Sequence, residues 1–480
     1  MNRRMILYMV GTVVKIEAAL LVLPLIVSLA YNEVCSKAFL ISIVIALAVG
    51  FALTLISRPG NKVIYAKEGF VIVSLAWVAL SVVGALPFYI SGEIPSFVDA
   101  FFETVSGFST TGASVLTDVE EISKGLLFWR SFTHWIGGMG VLVFVMAVIP
   151  KVSDRNIHIL RAEAPGPVVG KIVPKMKQTA RILYIIYVVL TIVTFVFLMA
   201  GGMSLFDSMV HALGTAGTGG FGIKTDSVGS YSPYIQWVLT VAMLIFGVNF
   251  NLYYFILIRK YKTALRNEEF ITYIVMVLIS TVAIAVNIAP MYNTISESLR
   301  HSAFQVASMI STTAFSTVDF NRWPGFSKTL LLILMLSGGC AGSTAGGFKV
   351  SRIVLLLKTI KRELQKFIHP RAVSTIRLDG KRVPETAITS LHSYFAMYVA
   401  LCVLVVVLLG MDKFGLERNL SVAVSCLNNI GPGVGAASEI TCYAMYSPLS
   451  KFVLCFAMLL GRLEIIPIVL TFSPSTWIKK

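Results

Sequence analysis

Apolar runs of membrane-spanning length recur along the chain, separated by short polar breaks. A helix that crosses a bilayer needs about 20 apolar residues. Such runs fall at 6–30, 38–57, 69–91, 126–150, 181–201, 235–259, 270–290, 327–358, 387–410 and 448–471. The pattern predicts an all-α polytopic membrane protein with ten spans. Two leading transmembrane helices stand alone, and the remaining spans pair into four hairpins. Between the arms of each hairpin lies a longer segment, at 93–124, 203–232, 292–326 and 412–447. Its first half, such as Phe97–Phe108 or Leu205–Thr215, is apolar yet too short to cross. An apolar stretch of about 10–14 residues reads as re-entrant.

Each re-entrant stretch runs into a short turn rich in Gly and Thr. The turns are Thr110–Ser114, Thr218–Gly222, Thr312–Ser316 and Asn429–Gly433. Their central residues are Gly112, Gly220, Ala314 and Gly431, and six residues earlier stand Ser106, Gly214, Ser308 and Ser425. Thirteen residues before each centre a polar residue, Asp99, Asp207, His301 or Arg418, marks the expected start of the re-entrant segment. One such loop would pass as an ordinary external turn. Four in matching register indicate a repeat, and repeats are read before anything else. The expected units are 1–60 for the leading helices, then pore repeats at 61–160, 161–266, 267–366 and 367–480.

Composition agrees with a membrane protein. The chain is 56% hydrophobic with a mean hydropathy of +0.81 and 13% charged residues, where a soluble domain carries about 25%. Met1–Arg4 leads into an apolar run long enough to span, unlike the shorter core of a cleavable signal. The net charge of +16 is a topology signal and not a nucleic-acid footprint. With residue 1 inside, most Lys and Arg residues fall on cytoplasmic loops, as the positive-inside rule requires. That places both termini in the cytoplasm. The densest basic cluster, Lys349–Arg382, also suits anionic membrane lipid or a protein partner. The six cysteines and six histidines show no metal-ligand spacing, and no catalytic constellation appears.

Four turns around one axis would bring backbone carbonyls together, and rings of carbonyls select dehydrated cations. Inward-facing carbonyls need alternating backbone conformation, with one residue per turn at positive φ, where Gly is the least strained. Ala314 departs from this, since a Cβ in the left-handed region costs roughly 1–2 kcal/mol. Two further features stand out. Ser337–Gly347 is glycine-dense within an apolar arm, which reads either as small-residue helix packing or as an unwound stretch. It is not a nucleotide loop, because Phe348 precedes Lys349. Arg462 lies inside the apolar run Phe452–Leu470, and an intramembrane charge marks a functional path or a partner.

Taken together, Phe108–Ser114, His134–Gly140, Thr218–Gly222, Ser337–Lys349, Asn428–Gly433 and Gly461–Glu464 resemble the Trk/Ktr/HKT superfamily of potassium transporters, and within it the TrkH branch. The resemblance spans essentially the whole chain. It implies four pseudo-symmetric helix–pore-loop–helix repeats around one filter in a bacterial inner membrane, with K⁺ as substrate. The implied ion-binding set is Thr110, Thr111 and Gly112, Thr218, Gly219 and Gly220, Thr312, Thr313 and Ala314, and Asn429, Ile430 and Gly431. The implied gate is an intramembrane loop containing Gly338, Gly339, Gly342, Ser343, Thr344, Gly346 and Gly347, with Arg462 as an electrostatic barrier below the filter. The implied partners are a second copy of the chain and a cytosolic TrkA-type nucleotide-binding subunit through which ATP and ADP act. Gly112 matches the family, where a Ser, by resemblance to plant members, would suggest sodium. Ala314 keeps a sodium-conducting or weakly selective reading open. An alternating-access carrier is disfavoured because all four units run in one orientation. Structural capping of carbonyls is the other reading of Arg462, and Glu103, Asp118, Glu120, Glu121, Asp226 and Asp319 are expected as solvated acids of the outer mouth.

Overall fold

The computed structural model describes residues 1–60, 64–140, 176–371, 374–433, 443–463 and 465–477. Helices α1 (Arg3–Leu20) and α2 (Val22–Ala30) make one leading span, and α3 (Ser36–Ile56) returns. The first arms of the four units are α4 (Ala66–Ser91), α7 (Met176–Ala200), α11 (Glu268–Ile288) and α15 (Glu385–Leu409). The re-entrant helices are α5 (Phe97–Phe108), α8 (Leu205–Gly217), α12 (Ile295–Ile310) and α16 (Leu416–Leu427). All four stand where the apolar pattern places them.

The second arms differ from the expected straight spans. They are α6 (Lys124–Gly138), α9 (Pro233–Phe246) with α10 (Phe250–Leu257), α13 (Gly325–Ser337) with α14 (Val350–Ile368), and α17 (Pro448–Arg462) with α18 (Ile465–Phe472). The continuation expected for α6, to residue 150, lies outside the described residues, as does Glu464. The α9–α10 pair is bent by 90°. Among the described residues six helices are long and apolar enough to cross a membrane, or seven if that bent pair counts as one span. The breaks fall at the inner ends of the arms, where irregular backbone is buried against other units. That is the condition under which a membrane protein tolerates it.

A side-chain cap starts three of the four re-entrant helices, and α16 begins after Gly415 without one. Ser96 accepts from the N–H of Asp99, Ser204 from Asp207 and Thr294 from Glu297, and such a cap contributes about 1 kcal/mol. Asp99, Asp207 and Arg418 stand in first turns as expected. His301 does not, because α12 begins earlier at Ile295. The α6 helix has no cap from Ser123. Instead Glu33, between α2 and α3, accepts from the N–H groups of Lys124 and Gly125 at 2.7 and 2.9 Å. The leading helices are thereby tied to the first unit.

The four units close into a ring. Each re-entrant helix packs within its own hairpin and also leans on the second arm of the preceding unit: α8 on α6, α12 on α9, α16 on α13, and α5 on α17. Backbones approach closely at equivalent places in the first and fourth units. A methyl group placed on Gly137 would lie 1.9 Å from the Phe108 carbonyl oxygen, and one on Gly461 would lie 2.2 Å from that of Leu427. Small residues permit such contacts between membrane helices. A short hairpin, β1 (Arg377–Leu378) and β2 (Lys381–Arg382), follows α14. Gly461→Ala should lower the melting temperature in detergent, since overpacking against a fixed carbonyl costs about 1–3 kcal/mol. Gly325→Ala, in the first turn of α13 where nothing lies within 4 Å, is the control and should melt no lower than the wild type.

Candidate functional site

The turns follow directly on the C-termini of the re-entrant helices, and all four repeat one hydrogen-bond pattern. The N–H groups of Thr111, Gly219, Thr313 and Ile430 donate to the carbonyls of Ser106, Gly214, Ser308 and Ser425 at 2.9–3.0 Å. Thr110, Thr218, Thr312 and Asn429 donate likewise to carbonyls three residues back, at 3.0–3.3 Å. The backbone then alternates. The first residues, Thr110, Thr218, Thr312 and Asn429, have φ of 57°, 54°, 57° and 54°, and the central Gly112, Gly220, Ala314 and Gly431 have 76°, 75°, 66° and 104°. The residues between them are not left-handed. Each turn therefore carries two positive-φ positions where the sequence reading expected one. Left-handed threonine is a genuine outlier, and strain of this kind costs of order 1–3 kcal/mol per residue and gathers at functional sites.

These turns meet one another in cyclic order. A methyl on Gly112 would lie 2.0 Å from Gly219 O, one on Gly220 1.8 Å from Thr313 O, and one on Gly431 2.5 Å from Thr111 O. Asn429 Nδ2 donates to Thr111 Oγ1 at 3.0 Å, joining the fourth turn to the first. All four central residues line a cavity of about 130 Å³. Thr110, Thr111, Thr218, Gly219, Thr312, Thr313, Asn429 and Ile430 are buried. Among the described residues no donor reaches their carbonyl oxygens, although more than 90% of buried backbone groups normally find a partner. Four helix C-termini also converge here, and each carries about half a negative charge. The arrangement is electronegative, rigid and rich in unused acceptors.

Ala314 takes the same left-handed backbone as its glycine counterparts. It has not relaxed to another geometry, so the third turn keeps the shape of the others and carries the strain of its Cβ.

Behind the first two turns lies a buried ion pair that the sequence reading did not single out. Arg130 Nε donates to Glu103 Oε1 at 2.7 Å, with both side chains almost fully enclosed. Glu103 also accepts from the N–H of Val115 and the hydroxyl of Ser114, and Arg130 lies over the Phe221 ring at 4.0 Å. Glu103 is thus no solvated acid of the mouth but a brace between the turn exits. Its desolvation is tolerable because every charge is paired and hydrogen-bonded. Glu120 likewise bonds Thr225 at 3.1 Å, and Arg130 and Lys224 stand on the cavity wall in place of the expected carboxylates. The signal for Arg130 was available, since it is a charge within an apolar arm just as Arg462 is.

Below the turns, Gly338–Lys349 is unwound, with Gly338, Gly342, Gly347 and Lys349 left-handed. It wedges between units. Gly346 N–H donates to Thr312 Oγ1 at 2.7 Å and Gly347 N–H to Asn428 O at 2.9 Å, beneath the third and fourth turns. Cys340 N–H donates to Gly247 O, and Gly342 O accepts from Phe250 N–H, so the loop satisfies the groups freed by the α9–α10 bend. Thr344 Oγ1 bonds Phe246 O at 3.1 Å. Arg462 donates from Nη1 to Thr344 O at 2.8 Å and from Nη2 to the carbonyls of Gly137 and Gly138. Its guanidinium therefore caps carbonyls and at the same time places a positive charge beside the loop. Gly338, Gly339, Gly342, Ser343, Thr344, Gly346, Gly347 and Arg462 form one contiguous body under the turns.

Comparison with known proteins converges on one family. The model of the TrkH family, described as cation transport protein, matches residues 35–480. A potassium uptake protein TrkH of Salmonella typhimurium is 36% identical over 99% of this chain and all of the relative, and TrkG of Escherichia coli is 32% identical over 99% of this chain and 98% of the relative. The crystal structure of the potassium transporter TrkH from Vibrio parahaemolyticus superposes with a TM-score of 0.90 at 31% identity, covering both chains completely. With four re-entrant turns in cyclic contact and an unwound loop beneath them, this chain belongs to the TrkH family of cation transport proteins.

Proposed function

We propose that the chain is a potassium-uptake pore of a bacterial inner membrane, with the four turns as its selectivity filter. The observation that carries this reading is the set of buried backbone carbonyls at Thr110, Thr111, Thr218, Gly219, Thr312, Thr313, Asn429 and Ile430, to which no donor among the described residues reaches. Carbonyls held at fixed spacing replace the hydration shell of a cation, and four helix C-termini add a favourable field. The relatives named above as potassium uptake proteins support K⁺ as the substrate. Ala314 is the feature that keeps a sodium-conducting or weakly selective alternative, and its left-handed backbone, like that of Gly112, Gly220 and Gly431, favours a third turn of the same shape. Uptake of ⁸⁶Rb⁺ and ²²Na⁺ into proteoliposomes carrying the purified chain tests the reading. Potassium-competed ⁸⁶Rb⁺ uptake well above ²²Na⁺ uptake is expected, and equal rates would overturn it.

The loop Gly338–Lys349 acts as the gate and Arg462 as the barrier beside it. The support is position: the loop lies under Thr312 and Asn428, and Arg462 reaches both it and the first unit. Regulation comes from a soluble TrkA-type ring, responsive to ATP and ADP, on the basic inner face. On α14, Lys361 and Lys366 are exposed, whereas Arg362 is buried and paired with Glu385 and Glu363, so Arg362 is scaffold and not docking surface. The same helix exposes Leu357, Ile360, Leu364 and Phe367 along one face, which supports a homodimer contact.

Gly112→Ser should lower the K⁺/Na⁺ permeability ratio by about tenfold or more, because the new side chain pushes the Gly219 carbonyl. An unchanged ratio in bilayer recordings would remove Gly112 from the filter. Arg462→Ala should raise ⁸⁶Rb⁺ flux several-fold at normal expression, and poorly folded protein without added flux would mark Arg462 as a structural cap only. Lys361→Glu with Lys366→Glu should abolish capture of the ring subunit in detergent, where the bilayer field is absent. Full retention of the ring would leave lipid as the partner of that surface.

A further inference from the structure

Glu269 is the second residue of α11, and its side chain is buried with 5% exposure. Its Oε1 accepts two backbone N–H groups: Ala341 at 2.6 Å, inside the unwound loop, and Ser351 at 3.0 Å, in the first turn of α14 just beyond it. One carboxylate oxygen thus ties the middle of the loop to the helix that follows. A charge buried at the end of an apolar span is costly, so its place demands a return. Hydrogen bonds to an ionised acceptor are roughly twice as strong as neutral ones, and these two act on a segment with four positive-φ residues, Gly338, Gly342, Gly347 and Lys349.

The anchor on the other side is firm. Asn267 caps α11 by accepting from Phe270 N–H at 2.9 Å. Asp379, at the tip of the β1–β2 hairpin, accepts from Asn267 Nδ2 at 2.7 Å and from Glu268 N–H at 2.8 Å. Glu268 also pairs with Lys358 of α14. Glu269 therefore projects from a helix end pinned by its neighbours, while the loop it holds is rich in glycine and carries four left-handed residues. The rigid partner positions the deformable one. The contacts to Thr312, Asn428, Gly247 and Phe246 use neutral groups, and the other charged groups on the loop, Arg462 at Thr344 O and Lys349 at Ala345 O, are cations that meet its carbonyls, so that Glu269 is the carboxylate that takes its N–H groups.

We propose that Glu269 is the latch of the intramembrane loop: a positioning residue whose carboxylate holds the loop in the obstructing position, so that its loss lets the loop leave. The inference rests on the reading of Gly338–Lys349 as the gate.

The native Cys340 thiol, fully buried in this loop, provides a readout separate from transport. Full-length Glu269→Ala and Glu269→Gln proteins are reconstituted without the ring subunit. Alkylation of Cys340 by N-ethylmaleimide is followed by peptide mass spectrometry, and ⁸⁶Rb⁺ and ²²Na⁺ uptake is measured in the same vesicles. Glu269→Ala should raise both Cys340 labelling and ⁸⁶Rb⁺ uptake about tenfold, the change that about 1.4 kcal/mol of lost closed-state stabilisation produces, with the K⁺/Na⁺ ratio unchanged. Glu269→Gln, which keeps an accepting oxygen but not the charge, should give a smaller rise in each. If Glu269→Ala does not fold, Glu269→Gln decides. A merely structural role would lower folded protein and flux together. Faster labelling without extra flux would keep the latch and overturn the gate reading. Labelling at the wild-type rate, whatever the flux, would overturn the latch.

Discussion

Buried carbonyl oxygens with no protein donor impose the constraint on which everything else in this chain depends. At membrane depth a free backbone group costs several kcal/mol, so a turn of non-helical backbone there must be packed within protein and face a polar ligand. The packing condition is met four times. Each re-entrant helix brings its turn to the centre, leans on the second arm of the preceding unit, and leaves the carbonyls of residues such as Thr111 and Gly219 without a donor among the described residues. The helix C-termini point the same way, so the partial charges that a helix end leaves unsatisfied join the turn carbonyls in one field.

Close approach has consequences for residue choice. Where one turn lies against the next, even a methyl would fall about 2 Å from a carbonyl oxygen, as at Gly112 and Gly220. Where the second arms cross the re-entrant helices, Gly137 and Gly461 allow the same intimacy with Phe108 and Leu427. Stability there rests on fit more than on hydrophobic area, because lipid is as apolar as the interior. Ala314 is the exception within the ring, and it holds the left-handed backbone that its neighbours hold without a Cβ. The Glu103–Arg130 pair braces the exits of the first two turns, with Glu103 on Ser114 and Val115 and Arg130 over Phe221.

The unwound segment beneath the turns obeys the same constraint by a different route. Its backbone groups are taken up by the bend at Gly247–Phe250, by Thr312 and Asn428, by Arg462 and by Glu269, so elements from every unit contribute to one buried network. A segment satisfied by partners on several bodies changes conformation when those bodies shift. It lies next to the basic helix α14.

Much of this was legible in the amino-acid order. Apolar length alone located the leading helices and all four re-entrant helices, because bilayer thickness sets a length that a sequence either has or lacks. Matching register marked Gly112, Gly220, Ala314 and Gly431 as equivalent, since repeats preserve spacing. Arg462 stood out as a charge within an apolar run. What the order could not carry was direction and partnership. The second left-handed residue in each turn is a Thr or Asn whose propensity does not demand it. The bend at α9–α10 has no proline, and only the loop from the third unit, bonding Gly247 and Phe250 from about a hundred residues away, accounts for its satisfied backbone. Glu103 reads as a mouth acid until Arg130 is placed beside it, and Glu269 as a helix-start acid until Ala341 and Ser351 reach it. Local periodicity determined the elements, whereas the tertiary structure decided which buried polar groups meet, because hydrogen-bond satisfaction across units depends on positions that no local window contains.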